Sequence, residues 1–306
     1  MLLTVSIQTC NRAESLAATL ESMRMLRCPE HADYEILVVD NNSSDHTPSV
    51  IEDYSKVLAP RLRSVFESRQ GLSRARNRAL QEARGEIVCF LDDDVKVDMG
   101  WLEAICDAFI KYSATVVGGR AYLIYPAPRP VWLSPNIEFL LSCLDYGDEP
   151  ILNIEKDLFG VNISVLRQVA LNVGGFDVNM GRKDRSLASG EETDFLIRIR
   201  KSGGIVVYEP RAIVGHIVSV DRLSKRWFLR RAYSGALTHA RLSIKNGKAP
   251  NLLRALEHTF RCFGSVAKAS LRGYTTPGDL FSRQVFAIGS LGSLIETINQ
   301  KFRLTI

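Results

Sequence analysis

The sequence predicts an α/β fold in which a mainly parallel sheet is flanked by helices and followed by a C-terminal helical extension. Short apolar runs alternate with amphipathic segments through the first part of the chain. Repeated strand–helix alternation of this kind is typical of a sheet with helices on both faces. From Arg222 onward the apolar pattern is helical. We therefore expect a first domain over residues 1–220 and a helical extension over residues 221–306.

One apolar run, Ile87–Leu91, ends in three consecutive carboxylates, Asp92, Asp93 and Asp94. The run has the length of a strand buried on both faces, and Gly85 marks the turn before it. Burying three unpaired carboxylates would be prohibitive, but at the C-terminal end of a strand they can hold a divalent cation. A solvated acidic turn is the alternative, and this stretch alone does not separate the two.

The other elements of the N-terminal half follow in order. Thr47-Pro48 has the form of a helix N-cap followed by proline in the first turn. Ser73 is predicted to cap a helix that carries Arg74, Arg76 and Arg78. Strands are predicted at 2–7, 34–39, 62–66 and 115–125, and a helix is predicted at 101–112.

The second half of the first domain is less regular. Four prolines between Tyr125 and Pro150 exclude a continuous helix or a central strand there. A helix is predicted from Ser164 and ends at Gly174, and Gly190 precedes another helix. Short strands are predicted at 205–208 and 212–214, just before Gly215-His216.

Polar groups that follow three predicted strands indicate a nucleotide site. Thr9, Asp40 and the Asp92–Asp94 cluster should meet, because the C-terminal ends of parallel strands lie at one edge of a sheet. A hydroxyl and a carboxylate there can contact a base and a ribose, and a metal can bind a diphosphate. The sequence has no Gly-x-Gly-x-x-Gly or Walker loop. A cation and arginine must then meet the phosphate charge, and Arg76 is the predicted arginine.

Six short motifs follow one another in the order found in one enzyme family. They are Thr9–Arg12, Val38–Asp45, Gly71–Asn77, Phe90–Asp94, Gly174–Asp177 and Gly190–Phe195. Each is weak alone, but together they make residues 1–216 resemble a family 2 glycosyltransferase with the GT-A fold. That family is the inverting class that uses nucleotide sugars, so the resemblance implies this fold and this type of reaction.

The resemblance also implies roles for single residues. It makes Asp92 a ribose contact and Asp94 a metal ligand, and it makes Thr9 and Asp40 contacts of the base and ribose. It implies that His216 binds the metal, although a lone histidine is more often structural. The nucleotide-sugar site would further include Asn11, Arg12, Asn42 and Asp93, and Asn162 would contact the sugar or the acceptor.

The predicted helix after Gly190 starts with paired acids, Glu191 and Glu192. The helix dipole stabilises acids in a first turn, which is the structural explanation for at least one of them. The functional explanation is a general base, because inversion by a single displacement needs one base and no covalent nucleophile. The family more often has Glu-Asp here, with Asp as the base. That Asp maps onto Glu192, and the choice between Glu191 and Glu192 stays open.

Two irregular segments carry further hypotheses. Trp132, in the proline-rich segment, is either a packing anchor or a platform on which a sugar stacks, and packing is favoured. The polar segment 179–189, which contains Gly181, is a candidate loop that orders when the donor binds.

Charge is distributed unevenly along the chain. The net charge is +5, but residues 222–275 contain twelve Lys or Arg and one acid, so this segment carries +11 and the remainder −6. We expect the C-terminal helices to contact an anionic membrane surface, with Leu252, Leu256, Phe260 and Phe263 on one face and the basic residues opposite. The alternative is that these apolar residues pack on the first domain or form a homodimer. No nucleic-acid recognition motif accompanies the charge.

Cysteine usage and apolar runs bear on the compartment. The six cysteines lack zinc-site spacing, and Cys89 and Cys106 lie in apolar patterns, which predicts reduced thiols in the cytoplasm. The N-terminus has no basic region or cleavage site typical of a signal peptide. No apolar run approaches the roughly 20 residues of a spanning helix. We expect a cytoplasmic protein, at the inner face of the cell membrane if the extension binds lipid.

The predicted function is inverting transfer of a sugar from a nucleotide-diphosphate donor, with UDP as the first expectation, to a glycan or lipid-linked acceptor. Mg2+ or Mn2+ would neutralise the departing diphosphate. A sugar nucleotidyltransferase is one alternative, but it needs a glycine-rich phosphate loop, and Gln8–Ser15 contains no glycine. An inactive carbohydrate-binding relative is the other, and the intact Asp94 and Glu192 argue against it.

Overall fold

A computed structural model describes residues 1–182, 187–272 and 276–303. Its strands are β1 Leu2–Thr9, β2 Asp33–Asp40, β3 Leu62–Phe66, β4 Ile87–Asp92, β5 Val95–Val97, β6 Val116–Ile124, β7 Ile151–Leu152, β8 Asn162–Leu166 and β9 Val206–Ile217. Its helices are α1 Ala13–Met23, α2 Thr47–Val57, α3 Leu72–Glu82, α4 Trp101–Tyr112, α5 Arg167–Asn172, α6 Glu191–Lys201, α7 Lys225–Lys245, α8 Leu252–Arg272 and α9 Pro277–Arg303. Two 3₁₀ helices lie at Pro135–Leu141 and Val220–Arg222.

The strands form one mixed sheet in the order β3-β2-β1-β4-β8-β6-β9-β5, with β7 paired to β9. Strands β1 to β4 are parallel to one another, and β8 runs antiparallel to both β4 and β6. The register pairs Thr9 with Asp40 and Gln8 with Asp92. The ends of β1, β2 and β4 therefore meet at one edge, and the predicted α/β fold class is confirmed.

The carboxylate strand β4 is buried as predicted. Every residue from Ile87 to Leu91 is at most 1% exposed. Its neighbours β1 and β8 satisfy its backbone hydrogen bonds on both sides. A continuous apolar run is what such a doubly covered strand requires.

Two predictions about elements in the second half are wrong. The segment from Ser164 is not a helix: residues 162–166 form β8 between β4 and β6, and the helix starts at Arg167. Buried strand and buried helix segments of this length cannot be separated by periodicity. The two short strands predicted at 205–208 and 212–214 are one strand, β9, whose pairing with β6 shifts register between Gly119 and Arg120.

Two helix starts also differ from the predictions. Helix α3 begins at Leu72, and no side chain caps it; the Ser73 hydroxyl donates instead to the Met180 carbonyl at 2.9 Å. Helix α2 begins at Thr47 itself, whose hydroxyl accepts a hydrogen bond from the Arg12 backbone N–H at 3.3 Å. Tertiary partners thus take the hydroxyls that the local pattern predicts as caps.

The chain divides into two compact units. The described residues within 1–124, 142–184 and 191–217 form the first unit, which contains the whole sheet. Those within 125–141, 185–190 and 218–306 form the second unit, in which α9 packs against both α7 and α8. An ion pair of 2.9 Å joins Arg241 of α7 to Glu296 of α9, which is 1% exposed. No helix in the described part of the chain is both long and apolar enough to cross a membrane.

Candidate active site

The acidic cluster follows β4 at the carboxyl edge of the sheet. Asp93 and Asp94 are buried, whereas the Asp92 side chain is 32% exposed. Arg12 compensates for this burial, because its Nε lies 3.1 Å from Asp93 Oδ1 and its Nη2 lies 2.7 Å from Asp94 Oδ2. Burial lowers the pKa of Arg12, but the attraction of Asp93 and Asp94 outweighs it and leaves the pKa raised. Desolvation raises the pKa of Asp93 to about 7 although Arg12 opposes the change.

Asp92, Asp94 and His216 form a potential metal site. Each offers a ligand atom, and these atoms all lie within 4.8 Å of one another. His216 comes from β9, and its Nε2 lies 3.2 Å from Asp94 Oδ1. Two carboxylates with one imidazole suit a divalent ion such as Mn2+. The residues present therefore fit the metal implied for this site.

Thr9 and Asp40 lie beside the acidic cluster, at the ends of β1 and β2. The Thr9 hydroxyl donates to Asp93 Oδ2 at 2.7 Å. Asp40 Oδ1 accepts a hydrogen bond from the Ser43 backbone N–H at 3.0 Å. Thr9 thus orients Asp93, and Asp40 orders the loop after its own strand.

Asn11 and Asn42 shape the loops at this edge. Both have positive φ, 54° and 65°, a conformation that asparagine tolerates better than most residues. Asn11 Oδ1 accepts hydrogen bonds from the backbone N–H groups of Ser44 and Asp45, at 2.7 and 3.2 Å. Asn11 therefore ties the loop after β1 to the loop after β2, and Asn42 lies exposed in the second of these loops.

The paired acids open α6, as predicted, and both contact Arg76. Arg76 Nη1 lies 2.9 Å from Glu192 Oε1 and 3.3 Å from Glu191 Oε1, and its Nη2 lies 3.7 Å from Asp92 Oδ1. The Arg76 side chain is 1% exposed, Glu191 is 3% and Glu192 is 18%. A single buried guanidinium thus connects the acidic pair with the acidic cluster.

The surroundings of Glu191 and Glu192 shift the pKa values of the two side chains in opposite directions. Burial raises the pKa of Glu191, and the charge of Glu192 adds to the effect. Burial is the largest single influence on Glu192 and acts to raise its pKa, but the attraction of Arg76 and the hydrogen bonds to the carboxylate together outweigh it, so the pKa of Glu192 is lowered. Two carboxyl groups at contact distance separate in this way when one cation lies nearer to one of them. The pKa of Glu191 is raised to about 8, and Glu192 is the more acidic of the two carboxyl groups.

Asn162 and Trp132 both make contacts that hold parts of the fold together. Asn162 is 3% exposed; its Oδ1 accepts from the Trp101 indole N–H at 2.9 Å, and its Nδ2 donates to the carbonyls of Arg120 and Ala212. These contacts join β8, α4, β6 and the bulged part of β9, and the contact of Asn162 with sugar or acceptor stays a prediction. Trp132 packs edge-on against Phe228 and Phe281, with ring centroids 5.4 and 4.9 Å away. This contact corresponds to packing, which is one of the two alternatives that the sequence left open for Trp132.

A family model described as glycosyl transferase family 2 matches residues 4–172. The chain belongs to glycosyltransferase family 2. A glucosyl-dolichyl phosphate glucuronosyltransferase of Haloferax volcanii is 27% identical over 235 residues, which are 75% of this chain and 74% of that protein. The succinoglycan biosynthesis protein ExoM of Rhizobium meliloti is 27% identical over 241 residues, 78% of this chain and 74% of ExoM.

Solved structures are similar in fold to this family 2 glycosyltransferase. The mannosyltransferase PcManGT from Pyrobaculum calidifontis, in complex with GDP-Man and Mn2+, has a TM-score of 0.64 at 19% identity; the match covers 98% of this chain and 86% of that one. GalNAc-T7 with UDP, GalNAc and Mn2+ has a TM-score of 0.58 at 19% identity, covering 76% of this chain and 47% of that one. At these identities the likeness shows the fold.

Sequence reasoning missed some residues of this glycosyltransferase site. Phe176 lies under the Arg76 guanidinium, 5.3 Å from the ring centroid, and Asn77 exchanges two hydrogen bonds with the Phe176 backbone. Both residues lie in motifs that the sequence analysis recognised, and those motifs were the signal that could have identified them. The backbone of Gly160 lies against Arg76 and Glu192, and no pattern in the sequence indicated this.

The predicted donor loop at 179–189 is described only in part. The Leu72 backbone N–H donates to the Arg182 carbonyl at 3.1 Å, so residues 180–182 lie at the start of α3. Residues 183–186 are outside the described residues. Ordering of this loop on donor binding stays a prediction.

Proposed function

We propose that this chain transfers a sugar from a nucleotide-diphosphate sugar to a hydroxyl acceptor with inversion at the anomeric carbon. The observation that carries the proposal is the Arg76 guanidinium, which contacts both Glu192 and Asp92. It links a candidate general base to a carboxylate of the candidate metal site. Membership in family 2 supplies the reaction class, and this geometry supplies the residues.

Glu192 is the proposed general base. It is ionised and partly exposed, whereas Glu191 is buried and holds its proton. The acceptor oxygen attacks the anomeric carbon as the bond from that carbon to the diphosphate oxygen breaks. The acceptor proton passes to the Glu192 carboxylate, so the displacement needs no covalent enzyme intermediate.

Asp94, His216 and Asp92 would hold the divalent ion, Mg2+ or Mn2+. When bound, the ion supplies positive charge that stabilises the departing diphosphate. Thr9 keeps Asp93 in place, and Arg12 balances the charge of Asp93 and Asp94. We assign Thr9, Asn11, Asp40 and Asn42 to the nucleoside side of the site, because they lie at the ends of β1 and β2 or in the loops that follow.

The donor and acceptor classes rest on the relatives. One structural neighbour binds GDP-Man and another binds UDP, which supports a nucleoside diphosphate donor, and UDP remains our first choice. One relative is named for a glucosyl-dolichyl phosphate acceptor and another for succinoglycan biosynthesis. We therefore propose a lipid-linked or growing glycan acceptor, in polysaccharide or glycoconjugate synthesis. Residues 1–220 would form the catalytic domain and residues 221–306 the extension.

We place the reaction at the cytoplasmic face of an anionic membrane, which α8 would contact. Three apolar side chains of α8 are largely exposed: Leu253 and Phe260 at 75% and Leu271 at 87%. At about 100° per residue, Leu253 and Leu271 lie within about 20° of Phe260 around the helix, while Arg254, Arg261 and Lys268 lie about 80° to 120° away. Leu252 and Leu256 are only half-buried, so the predicted apolar face is shifted; the Arg272 side chain is outside the described residues. An exposed apolar stripe flanked by exposed basic residues matches an anionic lipid surface in both chemistry and charge.

A screen of nucleotide sugars tests the proposed reaction. With Mn2+ or Mg2+, one donor should raise the melting temperature by mass action and be hydrolysed slowly without acceptor. Chelation should abolish both effects. If no nucleotide sugar has either effect, and if a nucleoside triphosphate with a sugar 1-phosphate releases pyrophosphate instead, the chain is a nucleotidyltransferase and the proposal is wrong.

A further inference from the structure

Arg76 lies at the centre of the acidic groups of the first unit. It belongs to α3, is 1% exposed, and contacts Asp92, Glu191 and Glu192. Its guanidinium also lies over the Phe176 ring, at 5.3 Å from the ring centroid. A cation held between an aromatic face and three carboxyl groups has its charge satisfied by the protein itself.

These contacts argue against the role that the sequence predicted for Arg76. An arginine that binds a diphosphate must present free N–H groups to it, because such recognition is bidentate. Here Nη1 faces Glu191 and Glu192, Nη2 faces Asp92, and Nε, which has no hydrogen-bond partner, is buried from solvent. Breaking these contacts for a phosphate would leave buried carboxylates without their counter-ion.

Gly160 provides independent evidence that the ion pair has a fixed place. A Cβ atom added at Gly160 would overlap Arg76 Nη2 and Glu192 Oε1. The φ angle of Gly160 lies outside the left-handed region, so glycine is not needed there for backbone reasons. The ion pair itself accounts for the glycine, since any larger residue would displace the two charged groups.

We propose that Arg76 is a positioning residue, which holds the Glu192 carboxylate in place for the acceptor and couples it to Asp92, and that it does not bind the donor diphosphate. This inference rests on the proposed function, because it takes Glu192 as the general base. Gly160 belongs to the same device, since it leaves the space that the Arg76–Glu192 pair occupies. Arg76 acts through Glu192 and touches no reacting atom.

Arg76→Met and Arg76→Lys test the proposal, with Arg78→Met as the matched control. Arg78 lies on the same helix but pairs with Glu82 at the surface. Arg76→Met should lower kcat by roughly 10² or more, the scale of a positioned base, and leave the donor KM nearly unchanged. Arg76→Lys should recover part of kcat, because it restores the charge without the planar fork. Arg78→Met should behave as wild type.

The pH profile separates a positioning role from a structural one. Among described residues, the charged and titratable groups that face Glu192 are Arg76 of α3 and Glu191 of its own helix. Loss of Arg76 should move the acidic limb of the kcat profile upward by about one to three pH units, because the charge that favours ionised Glu192 is gone. An unmoved profile would overturn the proposal, as would a large rise in donor KM with kcat preserved, which would make Arg76 a donor ligand.

Gly160→Ala keeps the proposal testable if Arg76→Met does not fold. It should lower kcat and leave the donor dissociation constant unchanged, whereas Gly235→Ala, in open space on α7, should change neither. Wild-type kcat in Gly160→Ala would overturn the proposal. Glu192→Gln separates a failure of the proposed function from a failure of this inference. Full transfer activity in Glu192→Gln would refute the proposed function. An inactive Glu192→Gln together with a fully active Arg76→Met would refute the positioning role of Arg76 alone.

Discussion

His216 Nε2 lies 3.2 Å from Asp94 Oδ1, and both side chains are at most 3% exposed. The contact brings the end of β9 to the residues that follow β4, through the short strand β5, in which Val95 pairs with His216. Asp94 also contacts Arg12 at 2.7 Å. Arg12 and the proposed metal ligand His216 therefore meet at one buried carboxylate, so we expect metal binding to depend most on Asp94.

Asp94→Ala should abolish metal-dependent binding of the nucleoside diphosphate. The cation would lose a buried anionic ligand and the Arg12 guanidinium would lose a partner. Calorimetry of UDP and GDP, with Mn2+ and with chelator, measures the effect. Asp53→Ala, an exposed acid on α2, is the control. Equal affinity for wild type and Asp94→Ala under both conditions would contradict this metal site.

Glu192→Gln should preserve donor binding and lower transfer by roughly 10² to 10⁴. Glu191→Gln should lose much less, because Glu191 already carries a proton and glutamine resembles the neutral acid. Transfer rates at saturating donor and acceptor, together with donor affinity, provide the comparison. If Glu191→Gln is inactive and Glu192→Gln is active, Glu191 is the general base and Glu192 is not.

Glu191 should make the protein less stable as pH rises. Its pKa is raised by burial above the unfolded value of about 4.5, so between these two values only the unfolded state releases the proton. The free energy of unfolding then falls with pH, by at most about 1.4 kcal/mol per pH unit. Glu191→Gln removes this dependence on pH. The melting temperature of the variant, relative to that of wild type, should therefore rise between pH 5 and 7. Glu52→Gln, which changes an exposed acid, should show no such trend.

Liposome flotation tests the proposed membrane contact of α8. Wild-type protein should float with anionic vesicles at low salt and less so at high salt, because each basic residue near the surface adds about 1 kcal/mol. Phe260→Ser and Lys268→Glu should reduce flotation, whereas Val131→Ser, at an apolar residue 90% exposed elsewhere in the second unit, should not. Equal recovery with neutral and anionic vesicles would leave the exposed stripe as a surface for a second copy of the chain.

Asn162→Ala should lower stability and leave the acceptor KM unchanged. The substitution leaves the Trp101 indole N–H and two backbone carbonyls without their amide partner, and each such buried group costs about 1–3 kcal/mol. Denaturant unfolding beside Asn172→Ala, a surface amide on α5, measures the difference. A raised acceptor KM at unchanged stability would instead support the contact with sugar or acceptor that the sequence predicted.

Local patterns in the sequence were enough for the fold class and for part of the site. The apolar run before Asp92 predicted a doubly buried strand because its period and length are local properties of the chain. The ends of three predicted parallel strands predicted the shared edge, and the structure pairs Thr9 with Asp40 there. The family resemblance implied that Asp94 and His216 bind the same metal, and the two side chains are in contact.

Tertiary structure alone decided which partner each polar side chain takes. Arg76 and Glu192 are 116 residues apart, and nothing within α3 shows that its arginine faces three carboxyl groups. Asn162 and Trp132 have side chains that suit a sugar equally well, and only burial reveals that one ties strands together and the other packs on aromatic rings. Burial and pairing depend on groups brought together from distant parts of the chain. They also set the protonation of Glu191 and Glu192, because desolvation and a single nearby cation shift the two carboxyl groups in opposite directions.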